Sequence, residues 1–501
     1  MPLIVRSLWI TVILAFISSA QIKNDFIIAD TSMTPSFGIE PNGNLNVVWR
    51  YFSKNDQGVY YSYLDASGKT INEKRKISTT SASAFPSLAI KDSLVLCLWE
   101  DKRSLQASLN YSLIIGRILK SGVNYSDEIE FDDYTNIQTD GVRSFPVGVW
   151  HSDSILYSVW SGDGSRSPIY GLTDIYAQKM LIKPAIQRAS LYNYVVNNIY
   201  DKLKESSPSV VKITNASGYL VVWIQRDSLR SWSIAGVSCD DSLKPNSSKI
   251  VYKHFSSLPT DFIAKPVVLN RKNGNYLLIW EKDTANDVAN IYVQEFTVEG
   301  AFIGSAKIVN DIAALSATTV TADIDSTGNI IIAWEDGTNI MAQRYSPTMD
   351  KLGTNFRINT SVPQGTDMFP VVKIFNGKIY SVWERYSSGK PSVWMNILDY
   401  NYPTMVDPMN NEFPTTYELL HNYPNPFNPT TTIGFSIPKA GETSLRVYDV
   451  VGREVAVLLN EYQPAGYRTI IFDASRLSSG VYLYTLTSGS FRQTKRMMVI
   501  K

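Results

Sequence analysis

Gly328-Asn329-Ile330-Ile331-Ile332-Ala333-Trp334-Glu335-Asp336 runs from a turn through an apolar stretch closed by Trp into an acidic pair. The same order recurs in Gly274-Asn275-Tyr276-Leu277-Leu278-Ile279-Trp280-Glu281. A Trp closes an apolar run seven times, at Trp49, Trp99, Trp160, Trp223, Trp280, Trp334 and Trp383, with steps of 50, 61, 63, 57, 54 and 49 residues. Self-similarity at such a period marks a repeat architecture, and β-branched and aromatic residues dominate the runs.

Upstream of most of these Trp a Pro introduces another apolar run, as in Phe85-Pro86-Ser87-Leu88, Phe145-Pro146-Val147-Gly148, Ser207-Pro208-Ser209-Val210 and Phe369-Pro370-Val371-Val372. Pro is tolerated as the first residue of a strand, which is the role expected of it here. A third run follows each Trp, as in Ile175-Tyr176-Ala177-Gln178, Ile291-Tyr292-Val293-Gln294 and Ile340-Met341-Ala342-Gln343, and a Gly-containing turn leads to a fourth, as in Ala306 to Asn310. Four antiparallel strands per repeat predict an all-β chain whose residues 21–402 form a seven-bladed β-propeller, six or eight blades being left open. The seventh repeat has no fourth strand: Asn401 to Phe413 carries two Pro and no alternation. Asp25 to Asp30 precedes the first repeat and has the missing pattern, so the N-terminal strand is expected beside Ser392 to Leu398.

The chain has 501 residues, 47 Lys+Arg against 46 Asp+Glu and a net charge of +1. No basic stripe stands out to track phosphates, so nucleic acid is not an expected partner. Residues 1–20 join Arg6 and an apolar run from Leu8 to Ile17 to Ser18-Ser19-Ala20, the layout of a signal peptide cut after Ala20. That run is too short for a membrane-spanning helix, no later one is longer, and no transmembrane segment is expected in the mature chain. Cys97 and Cys239 fall in different repeats and read as small buried hydrophobes rather than a disulfide.

The sequence offers little to catalysis. Three His, at 151, 254 and 421, stand in unrelated contexts, no Gly-rich phosphate loop is present, and no catalytic residue, metal site or cofactor is expected. Glu100-Asp101, Glu281, Glu335-Asp336 and Glu384 follow the periodic Trp; because they obey the repeat they read as turn residues, not as a catalytic carboxylate pair. Asp323 to Asn329 reads as a hairpin turn, since the downstream acid of a calcium loop is missing. The Trp read as wedges between blades. The longest insertions, 102–110, 125–143, 161–173 and 194–207, carry Arg103, Tyr134, Arg143, Arg166 and Tyr170, which are expected to be exposed and to suit a binding face.

Beyond a linker at 403–416 the texture changes. Asn422-Tyr423-Pro424-Asn425-Pro426-Phe427-Asn428-Pro429 forbids a helix. About seven short strands follow, including Leu445 to Asp449, Val455 to Leu459, Gly480 to Tyr484 and Arg496 to Ile500, predicting a small Ig-like β-sandwich over 417–501. The Pro-rich octapeptide, the turn from Tyr448-Asp449 to Gly452-Arg453, Gly466, Gly480, Tyr482 and the closing segment from Lys495 resemble a type A C-terminal sorting domain of the type IX (Por) secretion system. That resemblance implies export by way of the periplasm to the cell surface or medium, with the type IX translocon and a sortase-like peptidase as partners. The repeats resemble sialidase-like propellers in general shape only: the nearest Asp-box match, Ser53, Asp56, Gly58 and Tyr61, is one residue out of step. The expected activity is non-catalytic binding of polysaccharide or protein; a glycan-acting hydrolase or lyase and a structural surface-layer protein are the alternatives.

Overall fold

The computed structural model describes residues 25–500 except 55, 82, 103–111, 133–142, 163–172, 184, 191–192, 198–202, 215–216, 228–230, 247–249, 255–265, 285–287, 312–313, 316–318, 338, 361–364, 401–416, 420–421, 423–424, 426 and 464–465. The expected signal peptide and linker, with Arg103, Tyr134, Arg166 and Tyr170, lie outside the described residues. Among the described residues there is no helix long and apolar enough to cross a membrane, and no group of three or more His, Cys, Asp or Glu that could hold a metal.

Each repeat is an antiparallel sheet whose strands pair in chain order. The sixth is Thr321–Ile324, Ile330–Asp336, Asn339–Tyr345 and Lys351–Arg357. Among the described residues there are seven such sheets, some with an additional short strand, and every periodic Trp lies in the second strand of its sheet. The seventh takes its fourth strand from the other end of the chain: Phe26–Asp30 pairs with Lys390–Asp399, with Phe26 opposite Met395 and Asp30 opposite Ser392. This is the expected seam, and a buried polar cluster locks it. Arg385 donates to both oxygens of Asp367 at 2.6 Å and lies 3.4 Å from Asp25. Asp25 in turn accepts from Thr360 N, Thr360 Oγ1 and Asn396 Nδ2, each at 2.9 Å. Such a cluster is stable only while every member keeps its partner.

The first strands of the seven sheets touch one another in cyclic order, and that of the seventh, Thr366–Phe375, touches that of the first, Ser32–Ile39. A ring of separate sheets therefore closes by side-chain packing. Its apolar core is divided into seven clusters, one between each pair of neighbouring sheets. Each Trp, between 0 and 3% exposed, lies in the cluster shared with the preceding sheet, so the expected wedge role holds. The innermost strands approach so closely that a Cβ on Gly38 would meet Ile90 at 2.5 Å. Cys97 and Cys239 are buried free thiols.

The sequence reading needs correction at the Pro. Pro86, Pro146 and Pro370 are the fourth, fourth and fifth residues of their strands, and Pro35 and Pro208 are interior too. In each case the ladder skips: Ala84 pairs with Glu100 and Ser87 with Leu98, so Phe85 and Pro86 together oppose Trp99. Thr34-Pro35 opposes Trp49, Phe145-Pro146 opposes Trp160, Ser207-Pro208 opposes Trp223 and Phe369-Pro370 opposes Trp383 in the same way. This is a β-bulge, which removes Pro from the hydrogen-bond ladder and so permits it inside a strand. The periodic Trp and the upstream Pro are thus two halves of one motif.

Among its described residues the C-terminal region has seven strands in two antiparallel sheets. One contains Glu418–Leu419, Thr430–Ile437 and Gly466–Asp473; the other contains Gly441–Asp449, Glu454–Gln463, Gly480–Ser488 and Phe491–Val499. They bury one shared cluster, including Phe427, Phe435, Leu445, Tyr484 and Val499, drawn wholly from this region.

Candidate functional site

In every bulge the residue before Pro is in the left-handed region: Thr34 (φ 48°), Phe85 (49°), Phe145 (56°), Ser207 (55°) and Phe369 (54°). None is Gly, and a side chain there costs about 1–2 kcal/mol. The bulges converge on the inner face of the ring, where they line a cavity of about 410 Å³. Phe85, Phe145 and Phe369 are 41, 38 and 41% exposed into a molecule whose other aromatic wedges are buried, and the Phe85 and Phe145 ring centres lie 5.2 Å apart. Thr34, Ser87, Ser207 and Thr319 also line it, with the Thr34 and Ser87 hydroxyls turned into the protein, and among the described residues no charged side chain reaches it. We call this lining the collar.

Carboxylates hold the collar from behind, which corrects their reading as turn residues. Glu100, Glu281, Glu335 and Glu384 are strand residues, 1, 1, 8 and 5% exposed. Successive side chains of a strand point to opposite faces, so a Trp aimed at the preceding sheet leaves the next residue aimed at the following one. Accordingly Glu335 accepts from the backbone N–H of Phe369 at 2.5 Å and from Thr319 Oγ1 at 2.6 Å. Glu384 accepts from the backbone N–H of Thr34 at 2.9 Å, and Glu100 from Ser144 Oγ at 3.3 Å. Burial raises the Glu100 and Glu384 carboxyls above the usual carboxylate range, and the charge of Glu335 adds to the effect on Glu384.

Of the insertion residues expected to be exposed, Arg143 is described and is buried instead: its Nε lies 2.6 Å from Asp132, and the two side chains are 8 and 0% exposed. Residues 125–143 also include a fourth strand, Ile129–Glu130, so that stretch is not wholly an insertion. Asp323 lies in a strand, where it accepts from Lys373 Nζ and Ile374 N at 2.9 Å; the hairpin turn is formed by Asp325 to Asn329. The collar Phe were visible in the sequence as Phe-Pro pairs, but nothing local distinguishes a bulge from a strand start.

In the C-terminal region, Tyr423, Pro424 and Pro426 lie outside the described residues. Asn422 is buried, with its N–H on Tyr484 Oη (2.9 Å) and its Nδ2 on Thr431 Oγ1 (3.0 Å). Asn425 Oδ1 accepts from Met498 N at 2.8 Å, and Phe427, also buried, exchanges backbone bonds with Met498 and Ile500. Ala474 N donates to the carbonyl of Pro429, which follows Asn428. The Pro-rich octapeptide and the closing segment, some seventy residues apart, are therefore stitched into one unit. Asp449 shapes the turn to Gly452 (φ 85°) and Arg453 by accepting from Val451 N, Arg453 N and Arg453 Nε. Tyr448 faces Leu483, Gly466 faces Ile437, Gly480 faces Val499 and Lys495 faces Tyr484 across their sheets, while Tyr482 Oη donates to Ser478 O at 3.0 Å.

The sequence matches no curated protein. Among solved structures, a Dyadobacter fermentans protein of unknown function is 12% identical, covers 76% of this chain and 100% of its own, and superposes with a TM-score of 0.44. The polysaccharide lyase Uly1 is 12% identical over 73% of this chain and 89% of its own (TM-score 0.46). Trypanosoma rangeli sialidase is 7% identical over 87 and 86% (TM-score 0.44). Residues 421–501 match the family model described as a secretion system C-terminal sorting domain. A chain with such a tail is handled by the type IX secretion system and ends at the cell surface or in the medium. The two-sheet unit closed by Phe427 and the final strand is thus the family's sorting domain, and the seven sheets are what it exports.

Proposed function

We propose that the chain is a non-catalytic binding protein displayed at the cell surface or released: a seven-bladed β-propeller that holds a polysaccharide or protein at its collar, followed by an Ig-like β-sandwich that directs export through the translocon. The observation that carries the binding reading is the collar itself. Five strained bulges are held so that three Phe stand open to solvent in one cavity, and strain of this kind persists where a site needs it. Support for the absence of catalysis comes from the carboxylates. Glu335 and Glu384 are buried and hold backbone N–H groups of the bulges, whereas hydrolysis needs an acid and a base open to substrate.

The test is an array of glycans and surface proteins probed with the purified chain, with every captured ligand then assayed for turnover. The reading expects capture without new reducing ends, unsaturated products or cleaved peptide. Turnover of any captured ligand would overturn it.

A further inference from the structure

We propose that the collar takes an uncharged saccharide chain and discriminates against acidic ones; this deepens the binding reading and rests on it. The argument begins with what the lining offers. Phe85, Phe145 and Phe369 present open aromatic faces, and Ser207 and Thr319 add hydroxyl-bearing side chains to the lining, the Thr319 hydroxyl donating to Glu335 and left as an acceptor. A neutral sugar ring has the matching duality, with a face of C–H groups that stacks on an aromatic and an equator of hydroxyls that exchanges hydrogen bonds. At about 410 Å³ the cavity lies in the range of small-ligand sites.

A polypeptide fits less well, because an extended chain is held through backbone pairing. Two of the backbone donors at the collar, Thr34 N and Phe369 N, are already engaged by Glu384 and Glu335. An acidic sugar fits worst. A carboxylate or sulfate brought into an apolar cavity needs a cationic partner to offset its desolvation, and among the described residues no Lys or Arg lines this one. The buried arginines on the neighbouring strands, Arg143 and Arg385, are paired with Asp132 and Asp367. Behind the lining stand the buried carboxyls of Glu335 and Glu384, which offer an incoming anion no partner.

The experiment is affinity electrophoresis of the full purified chain through gels containing a neutral polysaccharide (laminarin, xylan, mannan or dextran) or an acidic one (alginate, polygalacturonate or chondroitin sulfate). Phe145→Ala and Phe369→Ala are run beside the parent, with thermal unfolding of each. The expected result is retardation by at least one neutral polysaccharide, weakened about tenfold, or about 1.4 kcal/mol, in both variants, with melting temperatures close to the parent's and no Phe-dependent retardation by the acidic set. Should a variant unfold, Phe369→Leu, which removes the aromatic face but keeps the bulk, takes its place. Phe-dependent retardation by an acidic polysaccharide, neutral binding indifferent to the Phe substitutions, or no retardation by any polysaccharide would overturn the proposal. Phe-dependent capture of a protein or a cationic ligand instead would overturn the ligand class while leaving the binding reading intact; depolymerisation of the gel polysaccharide would remove the binding reading itself.

Discussion

A five-residue turn at one end of the ring and the bulges at the other use the same backbone conformation with different residue choices. At the end where first strands turn into second ones and third into fourth, a five-residue turn recurs in which the fourth residue is left-handed. There it is mostly Gly: Gly43, Gly68, Gly274, Gly300 and Gly328, with φ between 78 and 94°, while Leu243 and Met349 replace it twice. Asp65, Asp240 and Asp325 shape these turns by accepting two backbone N–H groups each, a local device that needs no neighbour. At the opposite end the hairpins between second and third strands also use Gly337 and Gly389, but the bulges carry Thr34, Phe85, Phe145, Ser207 and Phe369 in the left-handed region, opposite the Trp and, at two of them, held by a carboxylate of the adjacent sheet. Where only a turn is required, Gly is common, and short polar residues such as Asp92, Ser121 and Asn376 also take the conformation. Where strain is retained at five equivalent positions, the side chain is what is being kept.

The largest way to disturb this arrangement is at the seam, which lies at the collar end. Deleting residues 25–30 removes the seventh sheet's edge strand and leaves Arg385 with one of its two carboxylate partners. Losing one member of a buried ionic cluster costs about 3–5 kcal/mol, so urea denaturation should show a midpoint far below the parent's; an unchanged midpoint would mean that the strand does not close the ring. Next is the layer between the ends. Trp334→Ala empties the cluster between the fifth and sixth sheets, at about 3–5 kcal/mol, and should weaken both ends equally by hydrogen exchange. Loss of ligand capture at full stability would instead make the Trp functional.

The sharpest contrast between the ends is smaller. At Gly328 a side chain meets Pro347 at 3.2 Å with φ at 94°, so Gly328→Ala should destabilise by about 1–2 kcal/mol. At Phe369 the order reverses: Phe369→Gly relieves the left-handed strain that Phe369→Ala keeps, and the Gly variant should be the more stable of the two by about 1 kcal/mol. If Ala is the better residue at both sites, the collar is not strained. The smallest effect concerns pH. Glu384 has its carboxyl raised in the folded state, so the unfolded chain loses that proton first and stability falls as pH rises from the ordinary carboxylate range through the raised value. Glu384→Gln keeps an acceptor for Thr34 N and removes the titration, so its melting temperature should change less over that interval than the parent's. Equal slopes would place the pH response elsewhere.

The ring was legible because packing repeats. Each Trp must fill the same gap between sheets, so the period survives in the sequence although little else does, and the missing fourth strand of the last repeat pointed to Asp25 to Asp30. The sorting tail was legible for a different reason: Asn425 and Asp449 accept from particular backbone N–H groups, Asn422 donates to the Thr431 hydroxyl and Phe427 fills the core, so identities as well as hydrophobicity are constrained. The collar was not legible. Whether Phe369-Pro370 starts a strand or bulges within it depends on the pairing of Met368 with Glu384 and Val371 with Val382, a register relation that no local window contains. Arg143 misled for the same reason, since a lone Arg beside a long insertion gives no sign of a buried Asp132 eleven residues away. Glu335 and Glu384 read as turn residues because their partners lie on the next sheet.

The account stands most directly on the claim that the ring and the tail are separable, the one as cargo and the other as address. The core of the tail draws only on residues 417–499, and each cluster of the ring only on its own sheets. The decisive measurement is fractionation of a host with type IX secretion that expresses either the full chain or a chain ending at Asp407. The full chain should reach the cell surface or medium, with intact mass placing a cleavage near 403–416, while the shortened chain should accumulate in the periplasm, folded and protease-resistant. Surface or medium recovery of the shortened chain at the level of the full one would contradict the assignment of residues 421–501 as the export signal of this protein.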